Sequence, residues 1–151
     1  MTGVQTCALP ISVGAIAGPF SEIPFSTGQT ALSPLNSVPK GDGEERRIIL
    51  DLSWPSGSSV NAGISCDEYD GQFFHLCYPT VDHIAELVVK HGVGCHIFKR
   101  DLCRAYCQFP VDPFDYPLLG YRWEDLLYFD SVLPMGLRSS AMACQDRKSV
   151  V

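Results

Sequence analysis

Apolar positions in this chain fall in short runs broken by glycine, proline and serine, and one stretch, 80–92, carries a clear helical period. Thr80 can cap it, Asp82 and Glu86 favour its early turns, and Gly92 stands where a C-terminal glycine belongs. Ile84, Leu87, Val88 and His91 fall on one face of that predicted helix. Upstream, residues 12–39 are rich in Gly, Pro and Ser without periodicity and read as an extended loop or arm. Behind Arg46 and Arg47, the run Ile48-Ile49-Leu50 predicts a strand over 46–53. A turn at Lys40-Gly41-Asp42-Gly43 would join it to an earlier strand, and Trp54-Pro55-Ser56-Gly57 ends it. Residues 58–79 read as mostly irregular.

Beyond the helix, the short apolar run from Cys95 to Phe98 predicts a strand over 95–101 that ends on the carboxylate of Asp101. A short turn carrying Tyr106 and the loop Pro110-Val111-Asp112-Pro113 come next. Two strands, about 117–122 and 126–132, form a hairpin with its turn at Trp123-Glu124-Asp125. After Gly136 a helix should begin near Ser139 or Ser140, where a hydroxyl can cap it. The elements predict an α+β fold, an antiparallel sheet with helices on one face. A length of 151 residues suits one domain. No apolar run approaches the roughly 18 residues of a membrane span, so no membrane partner is expected.

Both ends look foreign to the rest. Residues 1–11 resemble the in-frame translation of a sequencing-library adapter, and residues 146–151 resemble the adapter of the opposite end. A signal peptide would need a basic n-region and a long apolar stretch, which residues 1–11 lack. The natural part is then 12–145. Of the seven cysteines, Cys7 falls in the first tail, and the other six show no CxxC spacing. Reduced thiols serving as small apolar fillers, in a cytoplasmic or nuclear rather than secreted protein, are the expectation.

A net charge of −6 argues against nucleic-acid binding on its own, because phosphate contact needs a basic footprint. The cations nevertheless gather near the segments of interest: Lys40, Arg46, Arg47, Lys99, Arg100, Arg104 and Arg138. Much of the acid lies elsewhere, at Asp67, Glu68, Asp70, Glu124 and Asp125. Cys95-His96 on one strand would point to opposite faces and form no dyad, and the histidines show no zinc spacing. Read alone, Asp101 is a strand-end carboxylate capping a turn, Tyr106 a core tyrosine, and Leu133-Pro134-Met135-Gly136 an ordinary turn before a helix.

Taken in order, these segments resemble reverse transcriptases. Lys99-Arg100-Asp101-Leu102-Cys103-Arg104-Ala105-Tyr106 is similar to the first active-site motif of the palm, and Leu133 to Gln145 to the second. Ser33 to Lys40 and Arg46 to Ser53 resemble the fingers hairpin of the same enzymes. Trp54-Pro55, Ser58-Ser59-Val60-Asn61, Gly120 and Trp123 resemble the DIRS-like retrotransposons, which carry a tyrosine recombinase. In the second motif, Met135 stands where an aromatic or glutamine is usual, and Ala141 replaces a common proline.

The resemblance implies a partial right-hand polymerase, the fingers and first half of the palm. Its parent would add dNTPs to a template-primer of RNA and DNA. Two Mg²⁺ (or Mn²⁺) ions about 4 Å apart would clamp the attacking and leaving oxygens. Asp101 and the backbone carbonyl of Leu102 would ligate metal. Lys40 and Arg47 would meet the triphosphate. Tyr106 would lie under the sugar and exclude a 2′-hydroxyl, and Met135 and Gly136 would approach the nascent base pair. No Tyr-x-Asp-Asp sequence follows, so these 151 residues alone are expected not to polymerise. Two alternatives stand beside this reading: a non-catalytic nucleotide- or nucleic-acid-binding remnant, and a chimeric reading frame without function. An RNA-dependent RNA polymerase is disfavoured by Tyr106, since those enzymes place a small or polar group there.

Overall fold

The strands are ordered by their turns. In a computed structural model, which describes residues 14–26, 28–39, 46–99 and 102–148, they are, in chain order, β1 (Ile16–Phe20), β2 (Leu35–Pro39), β3 (Arg46–Leu50), β4 (Glu68–Tyr69), β5 (Gln72–Phe73), β6 (Gly120–Trp123) and β7 (Leu126–Asp130). The helices are α1 (Val81–His91) and α2 (Arg138–Lys148), with 3-10 turns at Val60–Gly63, Tyr106–Gln108 and Pro113–Leu118. β6 and β7 meet through a two-residue loop, Glu124-Asp125, whose φ values of 47° and 63° give the left-handed turn that suits the twist of a hairpin. Asp70-Gly71 does the same between β4 and β5. β2 and β3 pair antiparallel from Leu35 opposite Leu50 to Pro39 opposite Arg46, as the sequence predicts for a strand beginning at 46.

β1 lies where the sequence predicts a loop, whereas β2 is the earlier strand expected to pair with the strand that starts at 46. β1 pairs with β7, so the main sheet runs β1-β7-β6, all antiparallel. The sequence signal of β1 is weak because Gly18 and Pro19 interrupt its alternation. An edge position with a bulge between Ala17 and Phe20 tolerates both. β2 reads Leu-Asn-Ser-Val-Pro, too polar to stand out, and is mostly exposed.

Over its described part, 95–99, the predicted strand of 95–101 is not formed. Residues 95–99 follow no regular structure, and Ile97 and Phe98 are largely exposed. No described strand lies beside them, and an extended segment with no neighbour has no ladder to satisfy its backbone. Asp101 itself lies outside the described residues. Pro117 and Leu118 belong to a 3-10 turn instead of a strand. Pro113 starts that turn, and the Asp112 side chain caps it by accepting from the Phe114 N–H at 3.0 Å.

Helix α1 forms where the period predicts it. The Thr80 hydroxyl accepts from the His83 N–H, while His83 Nδ1 accepts from the Thr80 N–H at 3.0 Å, and the Gly92 N–H closes on the Val88 carbonyl. Its apolar face is nevertheless uncovered: no α1 residue is buried, so this helix does not lie on a sheet face as expected. α2 is the helix that packs, with Ser140, Met142 and Cys144 buried. Four of the six described cysteines (Cys66, Cys77, Cys103 and Cys107) are exposed, so they do not serve as fillers, and all six are free thiols. Among the described residues no helix is long and apolar enough to cross a membrane.

One apolar cluster ties the parts together. Leu50 and Leu52, at and just past the end of β3, pack with Leu119 and Tyr121 around β6. Phe129 of β7, wholly buried, meets Phe25 edge-on at 4.7 Å and Phe20 at 6.2 Å. Gly120 lies against this ring. A Cβ there would sit 2.6 Å from Phe129 Cε1 and 2.9 Å from the Ala31 carbonyl oxygen. Its bareness lets residues 31–33 dock on β6, with the Ser33 N–H donating to the Gly120 carbonyl at 2.9 Å and the Gly120 N–H to the Ala31 carbonyl at 3.2 Å. Gly120→Ala should therefore cost about 1–3 kcal/mol in urea unfolding, as overpacking does. An unchanged midpoint would mean the backbone yields freely there.

At the end of β7, burial pushes the Asp130 carboxyl from 3.8 up to about 7. The folded chain keeps a proton that the unfolded chain has released across that interval. Stability from this group is thus full below the unfolded value of 3.8 and is lost as pH rises through about 7. Asp130→Asn should exceed the parent in stability at pH 8 by on the order of 3 kcal/mol. That difference should shrink toward zero near pH 4, by chemical denaturation at both values. A pH-independent difference would show the carboxyl to be well solvated.

Candidate functional site

The site grows from the place where β3 stops. Past Leu50 the chain turns sharply: the Asp51 N–H donates to the Pro34 carbonyl at 2.9 Å, and the Asp51 side chain accepts from the Ser53 N–H at 3.1 Å. Leu52 is thereby pressed into the core, 1% exposed. Against this corner lies the Leu133-Pro134-Met135-Gly136 turn. Gly136 has φ of 102°, and a Cβ on it would come within 3.2 Å of the Leu50 carbonyl oxygen. The conformation favours glycine, and the approach leaves a Cβ little room.

Asn61, in the Val60–Gly63 turn, holds the two together. Its Nδ2 donates to the Gly136 carbonyl at 2.8 Å and to Ser53 Oγ at 2.9 Å, and its Oδ1 accepts from the Arg138 N–H at 2.8 Å. That last bond satisfies one of the open N–H groups at the start of α2. The sequence predicts a serine hydroxyl in this role near 139–140. Instead, the Ser140 hydroxyl, almost wholly buried, donates back to the Pro134 carbonyl at 2.9 Å.

A cavity of about 290 Å³ lies along this junction, lined by Asn36, Val38, Ile49, Leu50, Asp51, Leu52, Ser53 and Gly136. It thus joins the β2–β3 hairpin to the Gly136 turn. The Tyr106–Gln108 turn is fastened to the same region: the Leu133 N–H donates to the Phe109 carbonyl at 2.9 Å, and Pro110 bridges Val132 in antiparallel fashion. Tyr106 is half-buried there. Met135 and Leu102 are exposed, by 64% and 50%. Three of the predicted site segments are therefore brought together: the hairpin, the Tyr106 turn and the Gly136 turn.

Of the remaining predicted site residues, Lys40 and Asp101 lie outside the described residues. Arg47 takes its place in β3 opposite Val38. Arg46 is used within the hairpin, donating to Ser37 Oγ at 2.8 Å and to the Ser37 carbonyl at 2.9 Å. The Arg138 guanidinium donates to the Ile64 carbonyl at 2.6 Å. Gln145 pairs both ways with the backbone of Cys77, accepting from its N–H at 3.1 Å and donating to its carbonyl. Among the described residues no three His, Cys, Asp or Glu side chains converge as a metal site would require. Sequence reasoning missed Asn61 as a site residue. It stands in a polar run, and its partners are 75 and 77 positions away.

The architecture is reverse-transcriptase-like. Two crystal structures of the prototype foamy virus protease-reverse transcriptase, one of a CSH mutant and one native, superpose on the chain with TM-scores of 0.57 and 0.52. Sequence identity is 21% and 22%, and the match covers 93% of this chain in both cases. The chain spans 16% of the length of those proteins. No protein-family model matches the chain, and no curated protein does.

Gly136→Ala should cost about 1–3 kcal/mol, from a strained left-handed backbone added to the contact with Leu50. Thermal unfolding reads this directly. A neutral outcome would show that the turn can withdraw from the end of β3.

Proposed function

We propose that the chain is the fingers and the first half of the palm of an RNA-directed DNA polymerase from a retroelement of the DIRS-like branch. The observation that carries this reading is the cavity shared by the β2–β3 hairpin and the Gly136 turn, two segments that resemble nucleotide-contacting motifs in the same order. The fold likeness to a retroviral protease-reverse transcriptase supports it. In this reading Lys40 and Arg47 offer cations to a triphosphate, where charge-assisted bonds are strongest. Gly136, bare of Cβ, admits the nascent base pair, and exposed Met135 lies beside it. The Tyr106 ring fills the space a ribose 2′-hydroxyl would need.

Mg²⁺ or Mn²⁺ would bind at Asp101 and the Leu102 carbonyl and stabilise charge on the reacting phosphate oxygens. The described residues provide no complete ligand set of their own. This chain's own contribution is to bind and orient the nucleotide. One motif carboxylate cannot hold an ion pair, so catalysis belongs to a longer parent with template-primer as partner.

Equilibrium titration of the 151-residue chain with dTTP and with UTP, both with Mg²⁺, tests the reading. Binding of dTTP should weaken by about tenfold in Arg47→Ala, the loss of one charge-assisted contact. Tyr106→Ala should narrow the preference for dTTP over UTP. No RNA-templated primer extension is expected from the chain alone. Equal affinity of Arg47→Ala and the parent for dTTP would refute the triphosphate assignment, and measurable extension would refute the expectation that this chain alone is inactive.

A further inference from the structure

The geometry points to Asn61 as the positioning residue of the nucleotide cavity, the one side chain that sets the spacing of its two walls. This inference rests on the nucleotide reading above. Asn61 is 5% exposed, and its carboxamide spends both N–H groups and its oxygen on partners from two other segments. On one side are Ser53 Oγ and, through the Asn61 backbone N–H at 3.0 Å, the Leu52 carbonyl. On the other are the Gly136 carbonyl and the Arg138 N–H. Leu52 and Ser53 belong to one cavity wall and Gly136 to the other.

The chemistry selects asparagine at this point. The Arg138 N–H needs an acceptor, and the Gly136 carbonyl and Ser53 hydroxyl can both take a donor. Aspartate keeps the shape and the acceptor and loses both donors. Leucine keeps bulk alone and would leave buried backbone groups unsatisfied, which costs more than the bond itself is worth. Asn61 touches no substrate in this account. It acts through Gly136, whose carbonyl it fixes and whose approach to Leu50 it maintains.

The test uses the ¹⁵N-labelled full chain titrated with dTTP and Mg²⁺, together with amide hydrogen exchange. In the parent, dTTP should shift the amides of Gly136 and of residues 46–53. In Asn61→Ala, dTTP affinity should fall about tenfold and the Arg138 amide should exchange faster, while β6 and β7 keep their protection. Asn61→Asp should bind dTTP as poorly as Asn61→Ala yet still protect the Arg138 amide, a split that a loss of stability alone would not produce. Leu127→Val, which loosens the three-stranded sheet, should keep its dTTP affinity within about twofold. Should Asn61→Ala not fold, Asn61→Asp carries the comparison. Parent-like dTTP binding in both Asn61 variants, or an equal loss in Leu127→Val, would overturn the positioning role and leave the nucleotide reading standing. Absence of any dTTP shift in the parent would overturn both.

Discussion

A single buried carboxamide decides where the Gly136 turn can sit. Polar groups removed from water must find partners, and Asn61 finds them on strand end, turn and helix start at once. Once those bonds are made, the Pro-Gly turn cannot drift from the corner at Leu50–Ser53, and α2 must start at Arg138. The apolar cluster of Leu50, Leu52, Leu119 and Tyr121 then closes beneath the same corner. Polar and apolar terms act on one junction: burial brings β3 and β6 together, and the carboxamide ties the corner after β3 to the Gly136 turn.

What was legible in the sequence was whatever closes locally. The α1 helix has its cap and its terminal glycine within thirteen consecutive positions, 80–92, and it forms even though none of its residues is buried. The β6–β7 hairpin is likewise written in neighbouring residues. Elements that depend on distant partners were read less well. β1 needs β7, more than a hundred positions on, and its own Gly-Pro interruption hides it. The segment 95–99 shows the converse: a strand-like composition without a neighbouring strand stays irregular. A β-strand is a relation between segments, whereas a capped helix is largely a property of one.

The same contrast holds at the site. Gly136 was readable because glycine after proline at the head of a helix is a local signal. The hairpin of β2 and β3 was readable from the glycines between its arms. Asn61 was not, because nothing beside it in the sequence reveals what its side chain bonds. Two of the cations that gather near these segments in the sequence, Arg46 and Arg138, spend hydrogen bonds on carbonyl groups of the chain itself.

The outer strand of the main sheet has a further consequence. β1 carries Pro19 and an irregular register just where another chain could add a strand. A proline offers no amide hydrogen, and a bulge turns the remaining donors out of line. Growth of the sheet by recruiting a second molecule along that rim is thus discouraged by backbone chemistry. Across the sheet, residues 31–33 lie over β6 at Gly120 and take up part of the opposite rim. The feature that obscured β1 to sequence inspection is also what keeps a three-stranded sheet from serving as a template for aggregation.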